Sequence, residues 1–168
     1  MKDVIVKDAD LRRAAEEGMD AFLKVFVDAI YAAIDGRLTA ETMAELSSDQ
    51  MTLLAYSILH EEVMDGGFVQ LIHNGYGGFI FLNPFAKVLK LWGMRELSKM
   101  IYEAHTLYNK YRQDIECDCS DDEFMELFER FSEFDDLDDQ FVENEEEYTA
   151  QVACYVDDHI DRFAKIEQ

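Results

Sequence analysis

Residues 121–133 read Asp121-Asp122-Glu123-Phe124-Met125-Glu126-Leu127-Phe128-Glu129-Arg130-Phe131-Ser132-Glu133. So acidic a stretch is either a solvated tail or a folded helix, and its apolar residues decide. Phe124, Met125, Leu127, Phe128 and Phe131 fall on one helical face. Asp122, Glu126, Glu129 and Glu133 repeat at i, i+4, i+7 and i+11 on the other. Tyr148, Val152, Tyr155, Val156, Ile160 and Phe163 continue the pattern further on. A tail has no use for aromatics at helical spacing. The acids are expected on helices, as a fixed anionic surface.

Residues 114–168 hold 21 Asp/Glu against Arg130, Arg162 and Lys165, and so carry −18 of the whole-chain charge of −22. A fixed field of one sign repels nucleic acid and anionic lipid and attracts basic proteins or cations. Direct nucleic-acid binding and membrane attachment are therefore excluded as function classes. Solubility alone accounts for a net charge of about 2–8 on a small domain, so the excess points to a partner. Segment 66–113, with six bases against Glu96 and Glu103, is mildly basic, which gives the charge a dipolar distribution.

A chain of 168 residues, 49% hydrophobic with one Pro and eight Gly, suits a single domain with long helices and short connections. No apolar run approaches the roughly 20 residues of a membrane span, and the N-terminus lacks a signal-peptide core. Three cysteines is an odd count. Cys117 and Cys119 are poorly placed to bond each other, and Cys154 has no evident mate, so a reduced, cytoplasmic setting is expected. The expected fold is all-α: one compact multi-helix domain spanning 1–168, about eight helices, with an acidic C-terminal third at 114–168.

Periodicity places the elements. Phe22, Leu23, Phe26, Val27, Ile30 and Ile34 make a broad apolar stripe ending at Asp35-Gly36, and a short helix follows from Thr39 as N-cap. Ser47 with Gln50 has capping-box spacing before a helix through Leu54, Ile58, Leu59 and Val63, which Gly66-Gly67 breaks. A compact element from Phe68 stops at Asn74-Gly75. Tyr76 to Leu82 is too short for a helix of its own. Asn83-Pro84 has N-cap and N1 chemistry for a helix through Trp92. After Gly93, a long helix carries Met94, Leu97, Ile101, Ala104, Tyr108 and Tyr111 on one face. Three helices, at roughly 120–132, 134–143 and 145–166, complete the chain.

The most specific string is Glu62-Val63-Met64-Asp65-Gly66-Gly67-Phe68-Val69-Gln70, with Asn74 four residues on. It resembles the E-V-x-N-G-G-F-x-Q-x-x-x-N signature of a bacterial DNA-mimic protein family of small, acidic, all-helical proteins. The resemblance runs from about 47 to 163, through Ala86, Trp92-Gly93, Ala104, Leu137-Asp138-Asp139-Gln140-Phe141 and the stretch from Tyr155-Val156 to Phe163. Asp65 stands where the family has Asn, and Leu71 where an aromatic is common. The resemblance implies an acidic helical dimer that occupies the DNA-binding face of a helix-turn-helix repressor, and so a role in transcription regulation. From the residues themselves, Glu62, Gly66, Gly67, Phe68, Gln70 and Asn74 read as a structural motif. The glycines permit a tight turn, Phe68 anchors it in the core, and Gln70 and Asn74 satisfy carbonyls freed by the helix break. A polar ligand site there is the competing reading.

Catalytic and metal chemistry finds little support. His60-Glu61-Glu62 starts like HExxH, but position 64 is Met. A looser cluster of His60, Glu61, Asp65 and His73 would need the glycine turn to fold back. His105, beside Tyr102 and Tyr108, and His159, on the apolar side of the last helix, read as packed residues. Cys117 and Cys119 lack the second pair a structural zinc requires. Asp118, Ser120, Asp122 and Glu129 occupy EF-hand positions 1, 3, 5 and 12, but Glu123 stands where that loop needs Gly. No phosphate-binding glycine loop is present.

The expected function is therefore noncatalytic, without cofactor or metal: an acidic module that binds a basic protein, such as a DNA-binding protein, through Asp122, Glu126, Glu129, Glu133, Asp135, Asp136, Asp138, Asp139 and Glu143. The alternatives are an immunity protein against a basic nuclease toxin, and an enzyme or metal-binding protein built on Gly66-Gly67.

Overall fold

The computed structural model describes residues 2–117 and 120–168. Helix dominates. Among the described residues there are nine α-helices: α1 (Asp8–Glu17), α2 (Met19–Ala33), α3 (Ala40–Met43), α4 (Ser48–His73), α5 (Gly77–Phe81), α6 (Phe85–Leu91), α7 (Arg95–Ile115), α8 (Asp121–Arg130) and α9 (Asp135–Asp158). Two short strands, β1 (Ile5–Lys7) and β2 (Lys165–Glu167), add to the all-α fold. The chain divides into two compact units, Met1–Leu54 with Glu146–Gln168, and Ala55–Glu145. The division falls within α4 and α9. No helix among the described residues is long and apolar enough to cross a membrane.

In the first unit, the predicted α2 stripe is buried at Phe22, Leu23, Phe26, Val27 and Ile30. Phe26 lies edge-on to Phe22 at 5.3 Å and to Phe163 at 6.4 Å. Tyr148, Val152 and Val156 of α9 are buried as their spacing predicts, while Tyr155 and Ile160 are half-buried. Thr39 caps α3 as expected. The box ahead of α4 also forms: Ser47 N donates to Gln50 Oε1 at 2.9 Å, and Gln50 N to Ser47 Oγ at 3.1 Å.

Gln50 does a second job. Its Nε2 donates to the buried Phe163 carbonyl at 2.9 Å, tying the start of α4 to the chain beyond α9. That segment leads into β2, which pairs in parallel with β1 in the register Ile5 to Lys165, Val6 to Ile166 and Lys7 to Glu167. Gln50→Ala removes both half a capping box and the donor to a buried carbonyl. It is expected to lower stability by about 2–3 kcal/mol, measured by urea denaturation.

The second unit is built around Phe68, which is fully buried. Its ring lies 6.4 Å from Phe81 and 6.3 Å from Phe134, and Phe81 lies 4.9 Å from Tyr108. Leu97, Ile101, Ala104 and Tyr108 of α7 are buried as predicted, and Tyr111 is half-buried. Helices α5 and α7 approach closely because Gly77 presents no side chain: a Cβ there would meet the Tyr108 ring, with Cζ at 3.1 Å.

Several local expectations change. Tyr76–Leu82 does contain a helix, α5, because burial of Ile80 and Phe81 compensates for its shortness. Asn83 is no N-cap. Its Nδ2 donates back to the Phe79 carbonyl at 3.0 Å, and α6 starts after Pro84 without a side-chain cap. The segments read as helices 134–143 and 145–166 are continuous through residue 144, where Asn144 Nδ2 bonds the Gln140 carbonyl at 2.8 Å within one helix. The chain leaves that helix at Asp158, followed by a 3-10 turn at Ile160–Arg162 and then β2.

Candidate partner-binding surface

Helix α8 opens at Ser120, whose Oγ accepts from Glu123 N at 3.3 Å, a serine N-cap followed by the acids a positive helix end favours. Its apolar face is narrower than the sequence suggests. Leu127 and Phe131 are buried, Phe124 and Phe128 half-buried, and Met125 stays 57% exposed. The helix stops at Arg130, and a 3-10 turn at Ser132–Phe134 intervenes before α9. Glu133 is therefore not a fourth member of the Asp122, Glu126 and Glu129 row. Its carboxylate accepts from the Tyr111 hydroxyl and faces Lys110 Nζ at 3.6 Å.

Of the nine acids expected at the surface, Asp122, Glu126, Glu129, Glu133, Asp135, Asp136, Asp139 and Glu143 are exposed. Asp138 is not. Its Oδ1 accepts from the Phe68 backbone N–H at 2.8 Å, and its Oδ2 is buried without a hydrogen-bond partner. The face assignment of this residue is thus corrected: Asp138 holds the glycine turn from the next helix. The spacing of Phe134, Leu137, Asp138 and Phe141, at i, i+3, i+4 and i+7, already puts it on the buried face.

The turn itself demands Gly67. Its φ of 75° and ψ of −176° lie in a region that essentially only glycine enters. The chain bends there inside α4, as the Gly-Gly pair predicts. The motif's polar residues bond differently from expectation. Gln70 Nε2 and Asn74 Nδ2 both donate to Glu62 Oε2 at 2.9 Å, and Gln70 Nε2 also reaches Asp65 Oδ2 at 2.9 Å. The carboxylates of Glu62 and Asp65, ahead of the glycine break, rather than freed carbonyls, take these amides. Gly66 leaves room for this network, since a Cβ there would overlap the Gln70 side chain, with Gln70 Cβ at 2.8 Å.

The candidate metal ligands part company. His60 Nε2 meets Glu145 Oε2 at 2.8 Å, while His73 Nδ1 bonds the Ile115 carbonyl at 3.0 Å and its ring lies 5.0 Å from Phe124. Among the described residues no three His, Cys, Asp or Glu gather as a metal site. His105 stacks on Phe81 at 5.6 Å, and His159 stacks on Tyr155 at 4.1 Å, as packed residues. Asp118 and Cys119, part of the EF-hand and paired-cysteine readings, lie outside the described residues.

A model of the DMP19-like protein family matches residues 44–159 of the chain. The chain is also 36% identical over 130 residues, 76% of its own length and 78% of the relative's, to the DNA mimic protein DMP19 of Neisseria meningitidis serogroup B. The chain belongs to the DMP19-like family. The match encloses the Glu62–Asn74 motif, the Asp138 contact and the eight exposed acids named above, and leaves β1, α1, α2, α3 and β2 outside it.

Burial pushes the Asp138 carboxyl up to about 7 from an ordinary value of 3.8. Asp135 and Asp139 reinforce the rise, and the Phe68 N–H opposes it. The folded state thus binds a proton between about pH 4 and 7 that the unfolded state has released. Stability from this group is full below pH 4 and is lost as pH rises through 7. Asp138→Asn, which keeps an acceptor for Phe68 N–H, is expected to abolish that slope and leave the variant more stable at pH 8. Urea titrations at pH 5 and pH 8 read both effects.

Proposed function

We propose that the chain is a noncatalytic protein-binding module that presents carboxylates in place of DNA phosphates to the basic surface of a DNA-binding protein. The observation that carries this reading is the exposed acid row on ordered helix. Asp135, Asp136, Asp139 and Glu143 spread four charges over about 12 Å of the α9 axis. That is one about every 4 Å, against 3.4 Å per charge along one DNA strand. Asp122, Glu126 and Glu129 extend the display on α8. Helical mounting matters because a fixed charge costs a partner less ordering entropy than a tail does.

Membership of the same family as a DNA mimic protein supports the reading. So does the use of the motif's polar groups. Glu62, Gln70 and Asn74 are occupied with one another rather than converging on a substrate. Occupying the DNA-binding surface of a regulator would make the role one of transcription control, in the cytoplasm, with a homodimer as the working form.

The decisive experiment is competition. Basic DNA-binding proteins captured from the source cell at low salt should be displaced by duplex DNA and should elute steeply with salt. Capture that DNA leaves untouched would remove the mimicry, and capture of a nuclease toxin would replace it with immunity.

A further inference from the structure

The second unit holds twenty Asp/Glu and seven Lys/Arg, so no base in it need lack an acid. Among the described residues, Lys99 reaches Glu103 at 4.0 Å, Lys110 reaches Glu133 at 3.6 Å and Arg112 reaches Glu116 at 3.5 Å. Lys87, Lys90, Arg95 and Arg130 make no such pair, and of these Lys90 and Arg95 lie together. Lys90 of α6 and Arg95, Lys99, Tyr102 and Glu103 of α7 line a groove of about 510 Å³. Arg95, Lys99, Tyr102 and Thr106 form one row at i, i+4, i+7 and i+11. Tyr102 is 52% exposed, and Leu91, next to Lys90, is 74% exposed.

We infer that the α6–α7 groove is a docking site for an acidic, extended protein segment. The row from Arg95 to Thr106 spans about 16 Å of helix axis, the reach of about five extended residues. Carboxylates on such a segment meet Lys90, Arg95 and Lys99, while its apolar side chains cover Tyr102 and Leu91. Charge separates this occupant from a nucleic acid. A duplex carries a charge about every 1.7 Å well past the groove's ends and so meets the unit's excess of acids. A short segment places its charge only where the cations are. At 0.1 M salt the Debye length is about 10 Å, so the three groove cations, of which Glu103 in the same groove offsets one, outweigh more distant carboxylates.

The site is independent of the carboxylate face and would give one chain surfaces of both signs, which lets it discriminate among basic partners by a second contact. The test uses a fluorescein-labelled deca-glutamate peptide, read by anisotropy and by amide shifts of the labelled protein. Binding is expected to shift amides between Lys90 and Thr106, and Lys90→Glu with Lys99→Glu should weaken it by about tenfold or more. The milder pair Lys90→Gln with Lys99→Gln, which preserves side-chain bulk, should weaken it less, and both should melt as wild type. Neutralising Asp135, Asp136, Asp139 and Glu143 should leave peptide binding intact or stronger, which separates this site from the proposed partner face. No binding, shifts confined to other helices, or unchanged affinity in both variants would overturn the inference. A charge-matched duplex that binds as tightly as the peptide would overturn it in favour of nucleic acid.

Discussion

Gly67→Val is expected to destabilise the protein by about 3–5 kcal/mol, the largest effect of any single substitution considered. Two costs add. The φ of 75° with ψ of −176° is nearly closed to residues with a Cβ, worth about 1–3 kcal/mol of backbone strain. The new side chain would also collide with the Asp138 carboxylate, whose Cγ would lie 2.8 Å from Cβ. Relieving that collision breaks the bond from Phe68 N–H, and a buried donor left without its acceptor costs about another 1–3 kcal/mol. Gly67→Asn should rescue little, since asparagine tolerates the left-handed helical region and this ψ lies far outside it. Gly67→Ala should retain the backbone cost and much of the collision. Urea denaturation of the three variants against wild type checks the series. A valine variant as stable as wild type but inactive would make the turn a binding site instead of a structural hinge.

How much of the fold is legible in the sequence depends on the range of each signal. The α2 stripe, the Ser47–Gln50 box and the α4 break were legible because each is carried by residues within a few turns. The β1–β2 pair was not. Three-residue strands separated by almost the whole chain leave no local alternation to read. Likewise, nothing local distinguishes Glu62 from a free carbonyl as the acceptor for Gln70 and Asn74. The acidic face was legible in seven residues on regular helix. It failed at Glu133, where a 3-10 turn resets the phase, and at Asp138. There the charge points to solvent, while the position between Phe134 and Phe141 puts the residue on the buried face. Periodicity assigns a side and charge only a preference. A buried hydrogen-bond donor, here Phe68 N–H, can reverse that preference. The groove cations are legible only as a mildly basic segment, because the gathering of Lys90, Arg95 and Lys99 is a property of the folded unit.

Neutralising the exposed row with Asp135→Asn, Asp136→Asn, Asp139→Asn and Glu143→Gln should reduce the association rate with a basic partner by about 10- to 1,000-fold, the range of electrostatic steering. Stability should scarcely move, because two opposing effects nearly cancel. Asp135 and Asp139, and Asp139 and Glu143, are like-charge i, i+4 pairs, each unfavourable by about 0.2–0.5 kcal/mol. Asp135 and Asp136 sit in the first turn of α9, where a negative charge is favourable by about 0.3–1 kcal/mol. Asp138 must be left unchanged in this variant, since it belongs to the turn. Its titration then becomes an internal reporter. With the Asp135 and Asp139 charges gone, the Asp138 carboxyl should titrate lower than about 7, although burial still holds it above the ordinary range. The converse variant, Asp138→Asn alone, should bind the partner as wild type does while altering the pH dependence of stability. This double dissociation separates a surface that attracts from a buried carboxylate that holds the fold. Stopped-flow association at several salt concentrations, with carbon-13 carboxyl titration, measures both halves. Equal association rates for wild type and the four-site variant, at matched salt, would leave the row as a solubilising face and remove it as a phosphate substitute.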